Sequence, residues 1–329
     1  MNSYDDLIDS GYVLDRTGRC HARYNGIQSI PQCLGVKSER GLYRVWISNL
    51  QKMIRRGRLN EAVTSTIECV ETGKVFESNV INRLAKVIVS EDIGLACPTL
   101  PLYSKKFLET FTETQGNNKA QLLDLVSVLV ECQKSRLVDT LFILYHKTNK
   151  DILSFSDSFL LWKQSMSEKC VKGIVCHLNA CIETSQTIKK QIKIGSFRKR
   201  QEIYYVWEEI LRLSKANVLL TQVNEALLYL YISQETNGGR KLNLIQACLN
   251  VVYADDIDWT IKVPDPKGSS LEWKADPTIW PWSISYDKHS ILDAAKLGRD
   301  RQFFFEHGAK LENRTTQTWL WDLEEEHKI

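Results

Sequence analysis

The sequence predicts an all-α protein built as a multi-helix bundle, and three observations indicate this fold class. Apolar residues recur at the spacing of amphipathic helices along most of the chain between residues 38 and 253. The connections between these stretches are short, which is typical of antiparallel helices packed side by side. The composition, with 43% hydrophobic and 25% charged residues, is that of a globular protein. The length of 329 residues predicts at least two domains.

Each helix is predicted from its apolar spacing and from the glycine or proline that stops it. The first begins after Ser38, a candidate N-cap, and ends at Gly57. The second ends at Gly73, and the third runs from Ser78 to Gly94. Beyond Pro98 and Pro101, which force a break, helical stretches are predicted over 102–114, 118–134, 136–147, 153–182, 201–234 and 240–253.

Changes of composition divide the chain into four regions. Residues 1–36 form an irregular N-terminal arm without a persistent period, and residues 37–183 form a helical domain. Residues 184–253 hold a basic loop and a second helical layer. Residues 254–329 form a Trp-rich loop strap and C-terminal helices, and we expect the tryptophans to bury apolar area against the bundle.

The composition also argues against several classes of protein. The longest apolar runs, 126–132 and 226–232, are far shorter than the roughly 20 residues that span a membrane, so no membrane partner is expected. The N-terminus lacks the basic start and apolar run of a secretory signal, and nine scattered cysteines suit reduced, buried thiols. We therefore expect an intracellular protein of the cytoplasm or nucleus. The net charge of +3 does not by itself indicate nucleic-acid binding.

A family resemblance is carried by three stretches of the chain. They are "LQKMIRRGRLNEAV" (50–63), "NRLAKVIVSEDIGLACPTL" (82–100) and "CQKSRLVDTL" (132–141). In this order they resemble the helical C-terminal half of the RarA/MgsA family, which are AAA+ ATPases related to clamp loaders. That family has a basic "IRxG" helix, then "SEDIGLADP", then a "KS" motif. The resemblance implies a fold like the clamp-loader collar and a self-associating, non-catalytic module.

A second resemblance concerns the segment from Tyr286 to Asn313. It is similar to a tail of stand-alone, ATPase-less relatives, including some in large DNA viruses and phages, where an Asp-x-His-Thr motif recurs. Asp287 and His289 stand at two of those positions, and Ser290 replaces the threonine. The sequence contains no phosphate-binding loop of the type G-x-x-x-x-G-K-[ST], so neither ATP hydrolysis nor a cofactor is expected.

The "SEDIG" stretch is predicted to be a buried structural corner. Its members are Ser90, Glu91, Asp92 and Gly94. Short polar side chains near a helix C-terminus can bond backbone groups that the helix leaves without partners. The alternative interpretation of the same residues is a catalytic carboxylate pair.

Two basic clusters are candidate nucleic-acid-binding surfaces. The first, at the end of the first long helix, consists of Lys52, Arg55, Arg56 and Arg58. The second, in a loop expected to be exposed, consists of Lys189, Lys190, Lys193, Arg198, Lys199 and Arg200. Helix residues three and four apart share a face and can meet one phosphate strand. The alternative for both clusters is a solvated surface, which at a helix C-terminus also complements the macrodipole.

The sequence predicts neither a metal site nor an enzyme. Cys170, His177 and Cys181 share a helical face but are spread along too much helix to meet one ion. His289 and Asp287 are of the residue types found in a triad, yet the sequence has no G-x-S-x-G turn. In the tail, we expect His289 and Asp287 to be structural.

Two hypotheses of function follow. The first is a non-catalytic oligomerisation and adaptor protein of DNA replication, recombination or repair, which binds single-stranded or forked DNA, a replication protein or a separate ATPase through its basic surfaces. The second is a purely structural assembly scaffold without DNA binding; if a virus encodes the protein, the expected location is the viral factory. A homo-oligomer is expected in both cases. A contiguous positive surface favours the first hypothesis and an exposed apolar patch favours the second.

Overall fold

The computed structural model describes residues 12–14, 20–22, 39–72, 74–113, 119–145, 154–185, 202–234, 237–279 and 313–327. These residues are mostly helical, which confirms the predicted all-α class. The arm adds one small antiparallel hairpin, in which β1 (Tyr12–Leu14) pairs with β2 (Cys20–Ala22). Among the described residues, none of the helices combines the length and the apolar character that crossing a membrane requires.

The helices follow one another in two runs. The first run is α1 (Glu39–Arg55), α2 (Leu59–Glu71), α3 (Lys74–Asn82), a π-helix (Arg83–Ile93), a 3-10 turn (Gly94–Ala96), α4 (Leu100–Glu113), α5 (Lys119–Glu131) and α6 (Leu137–Tyr145). The second run is α7 (Phe155–Ser167), α8 (Val171–Thr184), α9 (Ile203–Ser214), α10 (Val218–Ser233) and α11 (Asn237–Val252). The chain then passes through a 3-10 turn (Gly268–Ser270) to α12 (Thr318–Glu326).

Helix α1 stops at Gly57, as its sequence predicts. Gly57 has φ +63°, a left-handed conformation that glycine adopts without strain. The N–H of Arg58 donates to the carbonyl oxygen of Met53 at 2.9 Å. The N–H of Gly57 donates to the carbonyl oxygen of Ile54 at 3.2 Å. These paired hydrogen bonds form a Schellman motif, which satisfies the last carbonyls of α1 and sends the chain back into α2.

The two longest predicted helices are each divided in the structure. The stretch 153–182 contains α7 and α8, which are separated near Lys169, a residue with φ +53°. The stretch 201–234 contains α9 and α10, and Asn217 caps α10 by accepting a hydrogen bond from the N–H of Leu220 at 3.1 Å. Apolar residues continue at helical spacing through both turns, so periodicity alone did not reveal the breaks.

The third helix also differs from its prediction, because α3 begins at Lys74 rather than at Ser78. It passes directly into the π-helix, whose wider turns close through hydrogen bonds between residues five apart. At its end, the N–H of Gly94 donates to the carbonyl oxygen of Val89. Ser90, Asp92 and Ile93 at its end are buried.

One continuous apolar core extends from α1 to α12. Three tryptophans from different helices, Trp46, Trp162 and Trp207, are fully buried in it. Helix α11 packs against α10, the π-helix, α6, α8 and α9. It is therefore the element that joins the two runs of helices.

Residues 253–279 follow the surface of the bundle. The N–H of Gly268 donates to the Asp124 carboxylate at 2.6 Å, and the Trp273 indole donates to Glu71 at 3.1 Å. A Cβ at Gly268 would come within 2.3 Å of the Asp124 nitrogen, so this approach to α5 requires glycine. The rest of the predicted strap, 280–312, lies outside the described residues.

Candidate functional site

The three stretches that carry the family resemblance meet in one ion-pair cluster. Helix α1 contributes Arg55, the end of the π-helix contributes Glu91 and Asp92, and the α5–α6 connection contributes Arg136. Arg55 and Arg136 are each 6% exposed, and Asp92 is 0% exposed. Tertiary packing alone brings these side chains together, because they lie on three separate elements.

Asp92 is the centre of the ion-pair cluster. Its carboxylate forms a salt bridge with the Nε of Arg55 and accepts a hydrogen bond from the Gln51 amide at 3.0 Å. The Nε of Arg136 lies 3.8 Å from the same carboxylate. The Asp92 carbonyl oxygen accepts from the N–H of Ser135 at 3.2 Å. A buried charge needs partners of this kind, because its desolvation is otherwise too costly.

Glu91 forms the outer edge of the ion-pair cluster, and its side chain is 15% exposed. Its carboxylate accepts from the Gln51 amide at 2.6 Å and from Arg55 Nη2 at 3.1 Å. Arg83, whose side chain is 37% exposed, approaches the other oxygen at 3.5 Å. Three arginines, Arg55, Arg83 and Arg136, thus surround the neighbouring carboxylates of Glu91 and Asp92.

Arg136 connects the ion-pair cluster to α6. Its Nη2 forms a salt bridge with Asp139. Burial and then the neighbouring charge of Arg55 lower the pKa of Arg136 to about 10, while the surrounding carboxylates act in the opposite direction. Arg136 therefore remains protonated at neutral pH.

Helix α12 closes one side of the ion-pair cluster through Glu324. One oxygen of this carboxylate accepts from the Ser135 hydroxyl at 2.6 Å and from the N–H of Arg136 at 2.9 Å. The other oxygen accepts from Arg314 at 3.0 Å. Glu324 is 7% exposed, so the end of the described chain is built into the same polar interior.

Lys134 lies beside this closure and is fully buried. Its backbone pairs with the C-terminal segment, because its N–H donates to Asn313 at 2.8 Å and its carbonyl oxygen accepts from Thr315 at 2.9 Å. Its ammonium donates to the carbonyl oxygens of Val130, at 2.9 Å, and Cys132. Burial lowers the pKa of Lys134 to about 8, although nearby thiols and carboxylates oppose this shift.

The predicted corner residues are placed inside the protein, but their bonds differ from those expected. The Ser90 hydroxyl donates to Asn243 of α11 at 2.6 Å, and Asp92 bonds residues of other elements, as described above. We had expected bonds to the backbone of their own helix end. Gly94 has φ +50°, and a Cβ there would lie 3.2 Å from Val138. The corner thus fastens separate elements to one another rather than capping one helix.

The first basic cluster is divided between the interior and the surface. The prediction that Arg55 contacts a phosphate strand is wrong, because Asp92 engages its buried guanidinium. Arg58 is exposed, and Lys52 and Arg56 are half-buried. The ammonium nitrogen of Lys52 is itself buried, so Arg56 and Arg58 are the members of this cluster that are accessible at the end of α1.

The second basic cluster and two tail residues fall outside the described residues. These are Lys189, Lys190, Lys193, Arg198, Lys199, Arg200, Asp287 and His289. Within the described ranges, no group of three or more histidine, cysteine, aspartate and glutamate residues is arranged to hold a metal ion.

Three members of the site escaped sequence reasoning. Gln51 and Arg136 lie inside the stretches that carry the resemblance, so the stretches themselves were a signal for them. No signal in the sequence pointed to Glu324, because this residue is separated by 188 residues from Arg136, to which it bonds.

Comparison with known proteins gives no match: neither a protein-family model, nor a curated protein, nor a solved structure matches this chain.

Proposed function

We propose that the protein is a non-catalytic helical oligomerisation and adaptor module of DNA replication, recombination or repair, with the collar-like fold that its family resemblance implies. The observation that carries this proposal is the meeting of Arg55, Asp92 and Arg136 in one buried ion-pair cluster. Each residue comes from a different stretch of the resemblance. This is the arrangement expected if the three stretches together specify one fold rather than three separate functions.

The bonding of the cluster favours a structural role over a catalytic one. A general acid or base must reach a proton of the substrate. The Asp92 carboxylate is fully buried, and Arg55 and Gln51 already engage it. A carboxylate held in this way orients helices, which supports an adaptor rather than an enzyme.

The end of α1 is a described surface that suits a nucleic acid. Arg56 and Arg58 are accessible there, whereas the ammonium of Lys52 is buried. Arg83 reaches the same end of α1 through Gln51, at 3.5 Å. Cations spaced along one helix end can contact successive phosphates of a single strand. The second basic cluster would extend this surface, and the partner is single-stranded or forked DNA.

DNA binding is tested by fluorescence anisotropy with labelled single-stranded and forked DNA at several salt concentrations. We expect micromolar or tighter binding that weakens steeply with salt. Replacing Arg56 and Arg58 by glutamine should weaken it and reduce the salt slope by about 1.5, the value for two lost phosphate contacts. The matched control replaces two exposed lysines elsewhere, Lys106 and Lys172, and should retain the wild-type slope.

Neutralising the second basic cluster is a separate arm of the same experiment. The substitutions are Lys189, Lys190, Lys193, Arg198, Lys199 and Arg200 to glutamine. If wild-type protein binds neither DNA at low salt, the DNA-binding part of the proposal is rejected. If the control variant loses as much affinity as the α1 variant, the contact is general electrostatic attraction and not a defined surface.

A structural scaffold without DNA binding is the second candidate, and one observation favours it. Leu213 and Val218, which flank the α9–α10 turn, are 39% and 73% exposed. Leu160, on the adjoining helix α7, is 67% exposed. Light scattering coupled to size-exclusion chromatography measures the oligomer. Both candidates expect an oligomer, so two results together identify the scaffold: Val218→Ser and Leu160→Ser dissociate the oligomer, and the wild-type protein binds neither DNA.

A further inference from the structure

The C-terminal segment, residues 313–327, is held on the bundle by main-chain pairing. The N–H of Lys134 donates to the carbonyl oxygen of Asn313 at 2.8 Å, and the N–H of Thr315 donates to the carbonyl oxygen of Lys134 at 2.9 Å. These two bonds form a parallel β-bridge. The Asn313 amide also donates to the carbonyl oxygen of Glu131, the last residue of α5, at 2.8 Å. The segment therefore adds its backbone to the α5–α6 connection in the way that a separate peptide binds by strand addition.

Side chains of the C-terminal segment occupy specific positions in the bundle. Leu320 of α12 is 0% exposed and belongs to the apolar core. The Gln317 amide donates to the carbonyl oxygen of Leu95 at 2.9 Å, and its oxygen accepts from the N–H of Asp258 at 2.9 Å. Glu324 is bonded at the start of α6, as described above. The site thus recognises apolar and polar side chains as well as backbone, which gives a peptide site its specificity.

Aromatic contacts hold both ends of α12. Trp319, in its first turn, lies against Tyr253, which follows α11, with ring centroids 5.1 Å apart. His327, after its last turn, has its Nδ1 within 2.9 Å of the hydroxyl of Tyr145, the last residue of α6. The site is therefore built by elements that lie far from the segment in sequence. Each copy of the bundle presents these elements, whichever chain supplies the segment.

The chain leaves the bundle at a different place before it returns as the C-terminal segment. The N–H of Asp276 donates to the hydroxyl of Thr64 on α2 at 3.2 Å, three residues before Ile279. Residues 280–312 connect Ile279 to the segment, and a stretch with this number of residues has a maximum span of roughly 110 Å. This limit includes the site on an adjacent copy as well as the site on the same copy.

A second copy of the chain is the partner whose fit to this site the structure describes. Each bond of the segment joins it to groups that every copy carries, so moving the segment from its own bundle to another bundle preserves all of them. Exchange of an identical element between protomers is a low-cost route to a dimer. Reciprocal exchange also closes the assembly, because each copy gives one segment and receives one.

We propose that the protein self-associates by exchanging its C-terminal segment, so that residues 313–327 of one copy occupy the site beside Lys134 of a second copy. This proposal rests on the oligomerisation part of the proposed function and names the surface that performs it. Within one molecule, the connection keeps the segment near its own site at an effective concentration on the order of millimolar. The exchanged dimer is therefore favoured at high protein concentration and the closed monomer at low concentration.

Cross-linking between two full-length variants, Thr316→Cys and Gln133→Cys, tests the exchange. Thr316 is exposed, and its N–H lies 3.0 Å from the Gln133 amide oxygen. The variants are mixed in urea, refolded together at a concentration at which light scattering shows an oligomer, and treated with a short bismaleimide. Because the introduced cysteines lie on different chains, a link between them joins two copies. We expect a covalent dimer in which mass spectrometry finds positions 133 and 316 linked.

The matched control mixes Gln133→Cys with Lys172→Cys, which places the second cysteine at an exposed position of α8, and should give no link between the introduced cysteines. The double variant Gln133→Cys/Thr316→Cys, refolded alone, should link whether its segment is exchanged or not. A link in the double variant but not in the mixture would overturn the exchange and leave oligomerisation to another surface. No link in either sample would overturn the site. A wild-type monomer at every concentration would reject oligomerisation and exchange together.

The rate of exchange provides a second test. When the two cysteine variants are refolded separately and then mixed, the link forms only after a segment has left its site. Adding Glu324→Gln to both variants weakens the charge-assisted bonds to Ser135 and Arg136, so the link should form several-fold faster. Adding Asp322→Asn instead changes an exposed residue of the same helix and should leave the rate unchanged. Equal rates in all three pairs would overturn the proposal, because release of the segment would not then control the exchange.

Discussion

Lys134 is a fully buried lysine whose charge opposes folding at neutral pH. Burial lowers its pKa from 10.5 to about 8, so the native protein holds this proton less tightly than the unfolded chain does. Each pKa unit corresponds to about 1.4 kcal/mol, which makes the whole shift worth roughly 3 kcal/mol. Lys134→Met keeps an unbranched side chain and removes the amine, so comparing it with wild type isolates this contribution.

Wild-type stability should rise with pH relative to the methionine variant. Between pH 10.5 and about 8, the unfolded chain binds a proton at Lys134 that the native protein has largely released, and stability increases with pH wherever the unfolded state binds more protons. Below this window the lysine is protonated in both the native and the unfolded state. The difference in the free energy of unfolding between wild type and Lys134→Met then does not change with pH. The free energy of unfolding of wild type minus that of Lys134→Met should therefore increase by roughly 2 to 3 kcal/mol from about pH 7 to about pH 10.

Urea unfolding followed by far-UV circular dichroism, at about pH 7 and about pH 10, measures this gain. Lys172→Met removes an exposed lysine and controls for the change in net charge. A difference between wild type and Lys134→Met that stays the same across this range would refute the reasoning. It would mean that the buried ammonium is stabilised as well in the native protein as in water.

Three further substitutions test the ion-pair cluster and helix α12, which closes one side of it. Asp92→Asn removes the buried carboxylate that engages the Nε of Arg55, while Glu91 still pairs with this arginine, and should lower the free energy of urea unfolding by about 1–3 kcal/mol. A loss below about 1 kcal/mol, the value of an exposed pair, would contradict its central position. Gly94→Ala places a Cβ on a backbone with φ +50°, 3.2 Å from Val138, and should cost about 1–3 kcal/mol in the same assay; wild-type stability would argue against this strain. Glu324→Ala should make residues 313–327 several-fold more sensitive to limited proteolysis, and an unchanged cleavage rate would show that other contacts hold α12.

The helix positions were predictable where the chain carries explicit stop residues. Gly57 ends α1 in the structure as its sequence indicates, because its left-handed conformation is one that glycine alone adopts freely. The break at Lys169 was not predictable, since lysine has no preference for the positive φ that it adopts there. At this turn α8 lies close to α7, since a Cβ at Gly173 would come within 2.5 Å of Ser165.

The candidate site was predictable only as a set of stretches, not as a set of bonds. Arg55 stands in a run of cations, and local sequence does not say which of them turns inward. Its partner Asp92 lies 37 residues away, so the answer depends on how α1 packs against the π-helix. Glu324 is a more distant case, because nothing near it distinguishes it from the exposed glutamates of the same helix.

The ion-pair cluster is better explained as a determinant of arrangement than as a source of stability. Removing two charges from water costs about as much as their attraction returns, so a buried ion pair adds little net stability compared with well-packed apolar residues. It does penalise any packing in which a charge loses its partner. Arg55, Asp92 and Arg136 therefore allow α1, the π-helix and α6 to pack in one relative position, and Glu324 extends that constraint to α12. A module that presents surfaces to other proteins or to DNA depends on such fixed positions, because a surface made from several helices is defined only when the helices cannot shift.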